Sequence, residues 1–102
     1  MRPAEESAFI VLIPYNPREG MSLKEAAARA GKSQTTVKNW CLSKGIGRRV
    51  GGGVWIVSRP ALDMLLDGNE AALLLYHQGR FDSSEVRRYF ERTKVPCPES
   101  AS

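Results

Sequence analysis

Apolar residues in this chain come in short groups, most closed by glycine or proline, and their spacing predicts a series of brief elements. The first group, Phe9-Ile10-Val11-Leu12-Ile13, is continuous and shows no alternation, which predicts a short strand buried on both faces. Pro14-Tyr15-Asn16-Pro17-Arg18-Glu19-Gly20 follows as a turn-rich connection. Leu23, Ala26, Ala27 and Ala30 then recur at helical spacing behind Ser22-Leu23-Lys24-Glu25, a Ser-x-x-Glu capping box. Gly31 tolerates positive φ where that helix must stop. Ser33 caps a second helix over 34–44, whose inward face is Val37, Trp40 and Cys41.

Beyond Gly45 the periodicity changes. Arg48-Arg49-Val50, three glycines and Val54-Trp55-Ile56-Val57 predict a strand, a turn and a return strand. Ser58 caps a third helix, with Pro60 in its first turn where a missing amide costs little; Leu62, Leu65 and Leu66 form its stripe and Gly68 ends it. A fourth helix over 70–78 carries Leu73, Leu74 and Tyr76. The fifth starts at Asp82-Ser83-Ser84-Glu85, read as a second capping box, and presents Val86, Tyr89 and Phe90 at i, i+3, i+4. The expected organisation is a flexible leader over 1–7, one domain over 8–92 and a disordered tail over 93–102. Within the domain, 20–67 holds two helices and a hairpin, and 69–92 is a helical extension. The fold class is mostly α with a small β-hairpin.

Length and composition narrow the functional classes. A chain of 102 residues, 42% hydrophobic, fits one small domain with its own core. No apolar run approaches the roughly 20 residues of a membrane helix, and Ala8–Ile13, preceded by Glu5 and Glu6, does not make a signal peptide. The expectation is a cytosolic protein. Cys41 and Cys97 supply neither a metal quartet nor a disulfide framework and read as reduced thiols. His77 is the lone histidine, without ligand partners at suitable spacing, and the serines fall at caps. No enzyme activity, metal or cofactor is expected.

Charge changes the picture through its distribution. Arg18 to Arg59 holds nine Lys/Arg against Glu19 and Glu25, a net +7 in a chain of net +4. Such a segment is the footprint of a polyanion binder. With Val37, Trp40 and Cys41 inward, Thr35, Lys38, Asn39 and Leu42 fall on the outer side of the second helix, with Gln34 at its flank. Amide and hydroxyl side chains there suit base edges, whereas Lys38 and Lys32 suit phosphates. Arg48 and Arg49 adjoin the Gly51-Gly52-Gly53 tip, where backbone can approach a sugar–phosphate chain closely. The glycines do not make a nucleotide cradle, since no Gly-Lys-Ser/Thr ending follows. Trp40 and Trp55 read as core residues.

The ordered run Ser22-Leu23-Lys24-Glu25-Ala26-Ala27, Gly31-Lys32-Ser33, Thr36-Val37-Lys38-Asn39-Trp40, Gly45, Arg48-Arg49-Val50-Gly51-Gly52, Trp55-Ile56-Val57 and Ser58-Arg59-Pro60-Ala61-Leu62 resembles the excisionase-type, MerR-like winged helix-turn-helix family over about residues 20–67. The resemblance implies a second helix in the major groove and a wing on neighbouring backbone, with Lys32, Gln34, Thr35, Lys38, Asn39, Arg48 and Arg49 as the DNA-binding set. It implies a transcription regulator or an excision factor. The chain departs from that pattern in its N-terminal strand and two C-terminal helices. Double-stranded DNA is the expected partner, with a homodimer or cooperative assembly on it through the Phe9–Ile13 strand edge or the stripes at 73–76 and 86–90. The competing expectation is a protein-interaction adaptor built on the same scaffold.

Overall fold

The computed structural model describes residues 10–13 and 15–98. Along them run β1 (Gly20–Ser22), α1 (Leu23–Ala30), α2 (Gln34–Lys44), β2 (Gly47–Arg49), β3 (Trp55–Ser58), α3 (Arg59–Leu66), α4 (Glu70–His77) and α5 (Ser84–Arg92). Five helices pack with a small antiparallel sheet in the order β1-β3-β2.

Local chemistry sets these boundaries. Ser22 Oγ accepts from the Glu25 amide at 3.1 Å and the Ser22 amide donates back to Glu25 at 3.3 Å, so the first capping box is complete. Gly31, at φ 70°, ends α1, and the Lys32 amide donates to the Ala27 carbonyl at 3.0 Å. Only Gly31, Lys32 and Ser33 separate α1 from α2, because Ser33 at once caps the next helix through the Thr36 amide. Ser58 caps α3 through the Ala61 amide, with Pro60 in the first turn. The fifth helix starts otherwise than expected. Ser83, one residue beyond Asp82, is the cap: its Oγ accepts from the Glu85 amide at 3.2 Å, and its amide donates to the Arg80 carbonyl.

Alternation gives the sheet two unlike faces. Met21 and Gly47 both pair with Val57, while Arg49 pairs with Trp55; these side chains share the face toward the helices. Gly47 is the contact point: a Cβ there would lie 2.8 Å from Cys41 Sγ of α2 and would collide with the Ile56 carbonyl. Glycine alone lets α2 lie flush on β2. Gly20, Ile56, Ser58 and Arg48 belong to the opposite face.

That far face is covered by the N-terminal segment, though not as a strand. Val11 and Leu12 are buried, but Ile10 and Ile13 are each 51% exposed, and residues 10–13 form no ladder. Leu12 sits at φ 58°, in the left-handed region, which breaks the extended run. The sheet edge beside β3 is taken instead by Gly20–Ser22, a three-residue strand hidden in the sequence by its length and glycine. Phe9, Pro14 and the leader over 1–7 lie outside the described residues.

The C-terminal region also differs from expectation. Helix α4 ends at His77, with Gln78 as its cap. Leu66 and Leu74, placed in apolar stripes by spacing, are 42% and 57% exposed, and Ala61, Met64 and Ala72 fill the core in their stead. Small residues allow closer helix approach there. The tail is packed as far as Pro98: Val95 is buried, its amide bonded to the Phe90 carbonyl, and the half-buried Cys97 thiol reaches the Phe81 carbonyl at 3.5 Å. Residues 99–102 lie outside the description. Tyr76, Phe81 and Phe90 form an aromatic cluster with ring centroids 5.8–6.1 Å apart, Phe81 meeting both other rings edge-on.

One buried acid joins these parts. Glu19, 2% exposed, accepts hydrogen bonds at Oε2 from the hydroxyls of Ser58, at 2.6 Å, and Tyr76. Tyr76 Oη in turn accepts from the Leu12 amide at 2.9 Å, and the Glu19 carbonyl accepts from the Arg59 amide at 2.8 Å. Burial raises the Glu19 pKa, against the opposing pull of the two hydroxyls and of Arg48. The folded chain therefore keeps this proton to higher pH than the unfolded chain does. The resulting stability is full below the ordinary carboxylate pKa and is lost as pH rises through the folded value. Glu19→Gln, which retains an acceptor without the charge, should gain stability relative to the parent as pH rises from about 4 toward neutrality. Glu19→Ala, which strands two buried hydroxyls, should cost about 3 kcal/mol. Urea unfolding across that pH range measures both.

Candidate nucleic-acid interface

Helix α2 is positioned from behind and left open in front. Val37 and Cys41 are fully buried and Trp40 is half-buried against the core. Burial drives the Cys41 thiol pKa up to about 12, so it behaves as a packed apolar group. At the far end Gly45, at φ 70°, closes the helix, and His77 Nε2 of α4 lies 2.9 Å from the Gly45 carbonyl. That contact braces α2 from the C-terminal extension. Burial lowers the His77 pKa against the opposing pull of the Gly45 carbonyl, and an Nε2–H ring donates to that carbonyl.

The opposite face carries Gln34, Thr35, Lys38 and Asn39, all exposed. Their side chains make no hydrogen bond or ion pair among the described residues. Lys32, in the turn before the helix, is exposed as well. No acidic residue lies anywhere in α2, so nothing offsets the partial positive charge at its N-terminus. Leu42, assigned to the outer side by periodicity, is instead half-buried, because it sits beside Cys41 at the rim of the packed face.

The two wing arginines, grouped by the sequence, are separated by the pleat. Arg49 lies on the helix-side face, exposed, with its guanidinium donating to the Gly53 and Gly52 carbonyls at 3.2 Å each. Those bonds hold it over the turn formed by Gly51 and Gly52, both at positive φ. Arg48 points to the other face, where Nε donates to the Val11 carbonyl at 2.8 Å and Nη2 to the Leu12 carbonyl at 2.9 Å. It is half-buried and already engaged within the fold. The two-residue period of a strand carries this separation in the sequence itself.

Arg29 and Arg92 are also engaged within the fold. Arg29 of α1 makes a forked pair with Asp63 of α3, at 2.9 and 2.8 Å, which raises its pKa and bolts the first helix to the third. Arg92 bonds Asp67 at 2.9 Å, lies 3.5 Å from Asp63 and stacks over Tyr89. Asp67, receiving bonds from Tyr89 and Arg92, has its pKa lowered. Lys24, Lys32, Lys38, Lys44 and Arg49 are exposed without an ion pair among the described residues, as are Arg18, Arg87, Arg88 and Lys94 elsewhere in the chain.

Among the described residues no group of three or more His, Cys, Asp or Glu could hold a metal ion, and no helix is long and apolar enough to cross a membrane. No protein-family model matches the chain, and no curated protein or solved structure compared with it matches either.

The open face should be energetically idle in the fold. Gln34→Ala and Asn39→Ala should leave the unfolding free energy within about 0.5 kcal/mol, whereas Val37→Ala on the packed face should cost about 2 kcal/mol. Chemical denaturation of the three variants tests the assignment of faces.

Proposed function

We propose that this chain is a sequence-specific double-stranded-DNA-binding protein of the winged helix-turn-helix type, acting as a transcription regulator or a recombination factor. The observation that carries the reading is the row of uncommitted polar side chains on α2, Gln34, Thr35, Lys38 and Asn39, flanked by free cations. Amide side chains can bond an adenine edge bidentately, and a threonine methyl can meet thymine. The three-residue turn between α1 and α2 supports the same reading, since helix-turn-helix units join their helices through turns of that length. In this reading α2 enters the major groove, Lys32 and Lys38 fix register on phosphates, and Arg49 at the tip meets the adjoining backbone. Arg48, bound within the fold, drops out of the contacting set.

A second reading, a protein-interaction adaptor, draws on a different surface. Leu66 and Leu74 are exposed, and Leu74 borders a shallow cleft of about 210 Å³ lined with Leu65, Leu73 and His77. The same surface is the candidate for self-association, the strand-edge route being removed by the absence of a strand at 10–13. Titration into random duplex DNA at two salt concentrations separates the readings: steep salt dependence supports the first, and no binding at low salt supports the second. Light scattering with and without a long duplex reports the assembly.

Within the DNA reading, Asn39→Ala should weaken specific binding by about 1–3 kcal/mol and relax preference at one position of a selected site. Arg49→Ala should weaken all duplexes alike and make the log–log salt slope shallower by about 0.9. An unaltered site preference removes Asn39 from the reading set, and an unaltered slope removes Arg49 from the backbone.

A further inference from the structure

The segment 10–13 crosses the sheet face turned away from α2 and is fastened at two points. One is the Leu12 amide on Tyr76 Oη at 2.9 Å, and the other is the Arg48 guanidinium on two successive carbonyls, those of Val11 and Leu12. An extended strand points successive carbonyls to opposite sides. Here the left-handed turn at Leu12, φ 58°, brings both onto one fork. A strained residue with a fully buried side chain persists where its surroundings hold it, and Arg48, with the Tyr76 hydroxyl, is the polar part of that hold.

Arg48 stands in the middle of β2, the outer strand of a sheet whose β2–β3 ladder has only three residue pairs. So short a hairpin is not stable by itself. Its helix-side face is fixed by the contact of Gly47 with Cys41, while on the far side the hydrogen bonds of the Arg48 guanidinium among the described residues all go to the segment 10–13, beside its charge attraction to the buried Glu19. We propose that residues 10–13 are a strap that sets the wing, with Arg48 as its latch, so that Arg48 governs DNA binding as a positioning residue acting through Arg49 rather than by touching phosphate. The inference rests on the DNA-binding reading for its functional half; the latch itself does not.

Hydrogen exchange and duplex binding on the full chain test the two halves separately. Arg48→Lys keeps the stem and the charge but not the fork that spans two carbonyls. In the absence of DNA, Arg48→Lys and Arg48→Ala should each speed exchange of the Leu12 amide at least tenfold and loosen the β2 and β3 amides. A Leu12 amide that exchanges equally in parent and variants overturns the latch. With random duplex, Arg48→Lys and Arg48→Ala should weaken binding by similar factors of several fold. The Arg48→Ala loss should largely vanish in an Arg49→Ala background, giving a double variant within about twofold of Arg49→Ala alone. Parental affinity in Arg48→Lys, or losses that multiply independently in the double variant, would mean that Arg48 is itself a phosphate contact and would overturn the positioning role. A parent that binds no duplex at low salt overturns the DNA-binding reading and the functional half of the proposal, while the exchange result still decides the latch.

Discussion

Burying a carboxylate removes hydration that a protein interior restores only by giving its oxygens defined partners. Glu19 meets that demand with hydroxyls from two different elements: Ser58, at the cap of α3, and Tyr76, in the last turn of α4. The same tyrosine receives the Leu12 amide, and the same serine receives the Ala61 amide. Four chain segments therefore depend on the occupancy of one oxygen. Because α3 and α4 are fixed this way, Arg29 finds Asp63 and His77 finds Gly45, and both helices of the helical pair are held from behind. The open face of α2 is a by-product of how completely its rear is secured.

The basic segment is not equivalent to a basic surface. Arg29 is committed to a carboxylate and Arg48 to backbone carbonyls, so fewer cations of the 18–59 segment stand free at the surface than the count along the chain suggests. Pairing sets Arg29, Arg48 and Arg92 apart from the lysines around α1 and α2. Lys24, Lys32, Lys38 and Lys44 are exposed and unpaired among the described residues, compact point charges on flexible stems. Arg29, Arg48 and Arg92 use their planar forks inside the fold.

Much of this was legible in the sequence wherever the determining chemistry is local. Ser22, Ser33 and Ser58 announce three helix starts, Gly31 and Gly45 two helix ends, and the period of Val37 and Cys41 the buried face of α2. Failures follow from tertiary competition. The apolar run at 9–13 predicts a strand, but its place beside β3 goes to Gly20–Ser22, and a kink at Leu12 is invisible to hydrophobicity. Leu66 and Leu74 satisfy helical spacing yet stay exposed, since Ala61, Met64 and Ala72 take the interior. Glu19 looked like an ordinary turn residue, because nothing local marks a carboxylate whose partners are 39 and 57 residues away. For the candidate site, the α2 residues were readable from periodicity, whereas the fate of Arg48 needed a partner segment 36 and 37 residues distant.

The contact of Gly47 with Cys41 has a mechanical meaning. It acts as the fulcrum of a lever whose other end is Gln34, seven residues up α2 and thus about 10 Å away. A side chain at position 47 would have to prise the helix from the sheet, and a tilt of about 5° at the fulcrum would displace Gln34 by roughly 1 Å, twice the tolerance of a preorganised binding group. The aim of α2 is therefore fixed by a hydrogen atom where any other residue carries a carbon, at a position that touches no ligand in any reading.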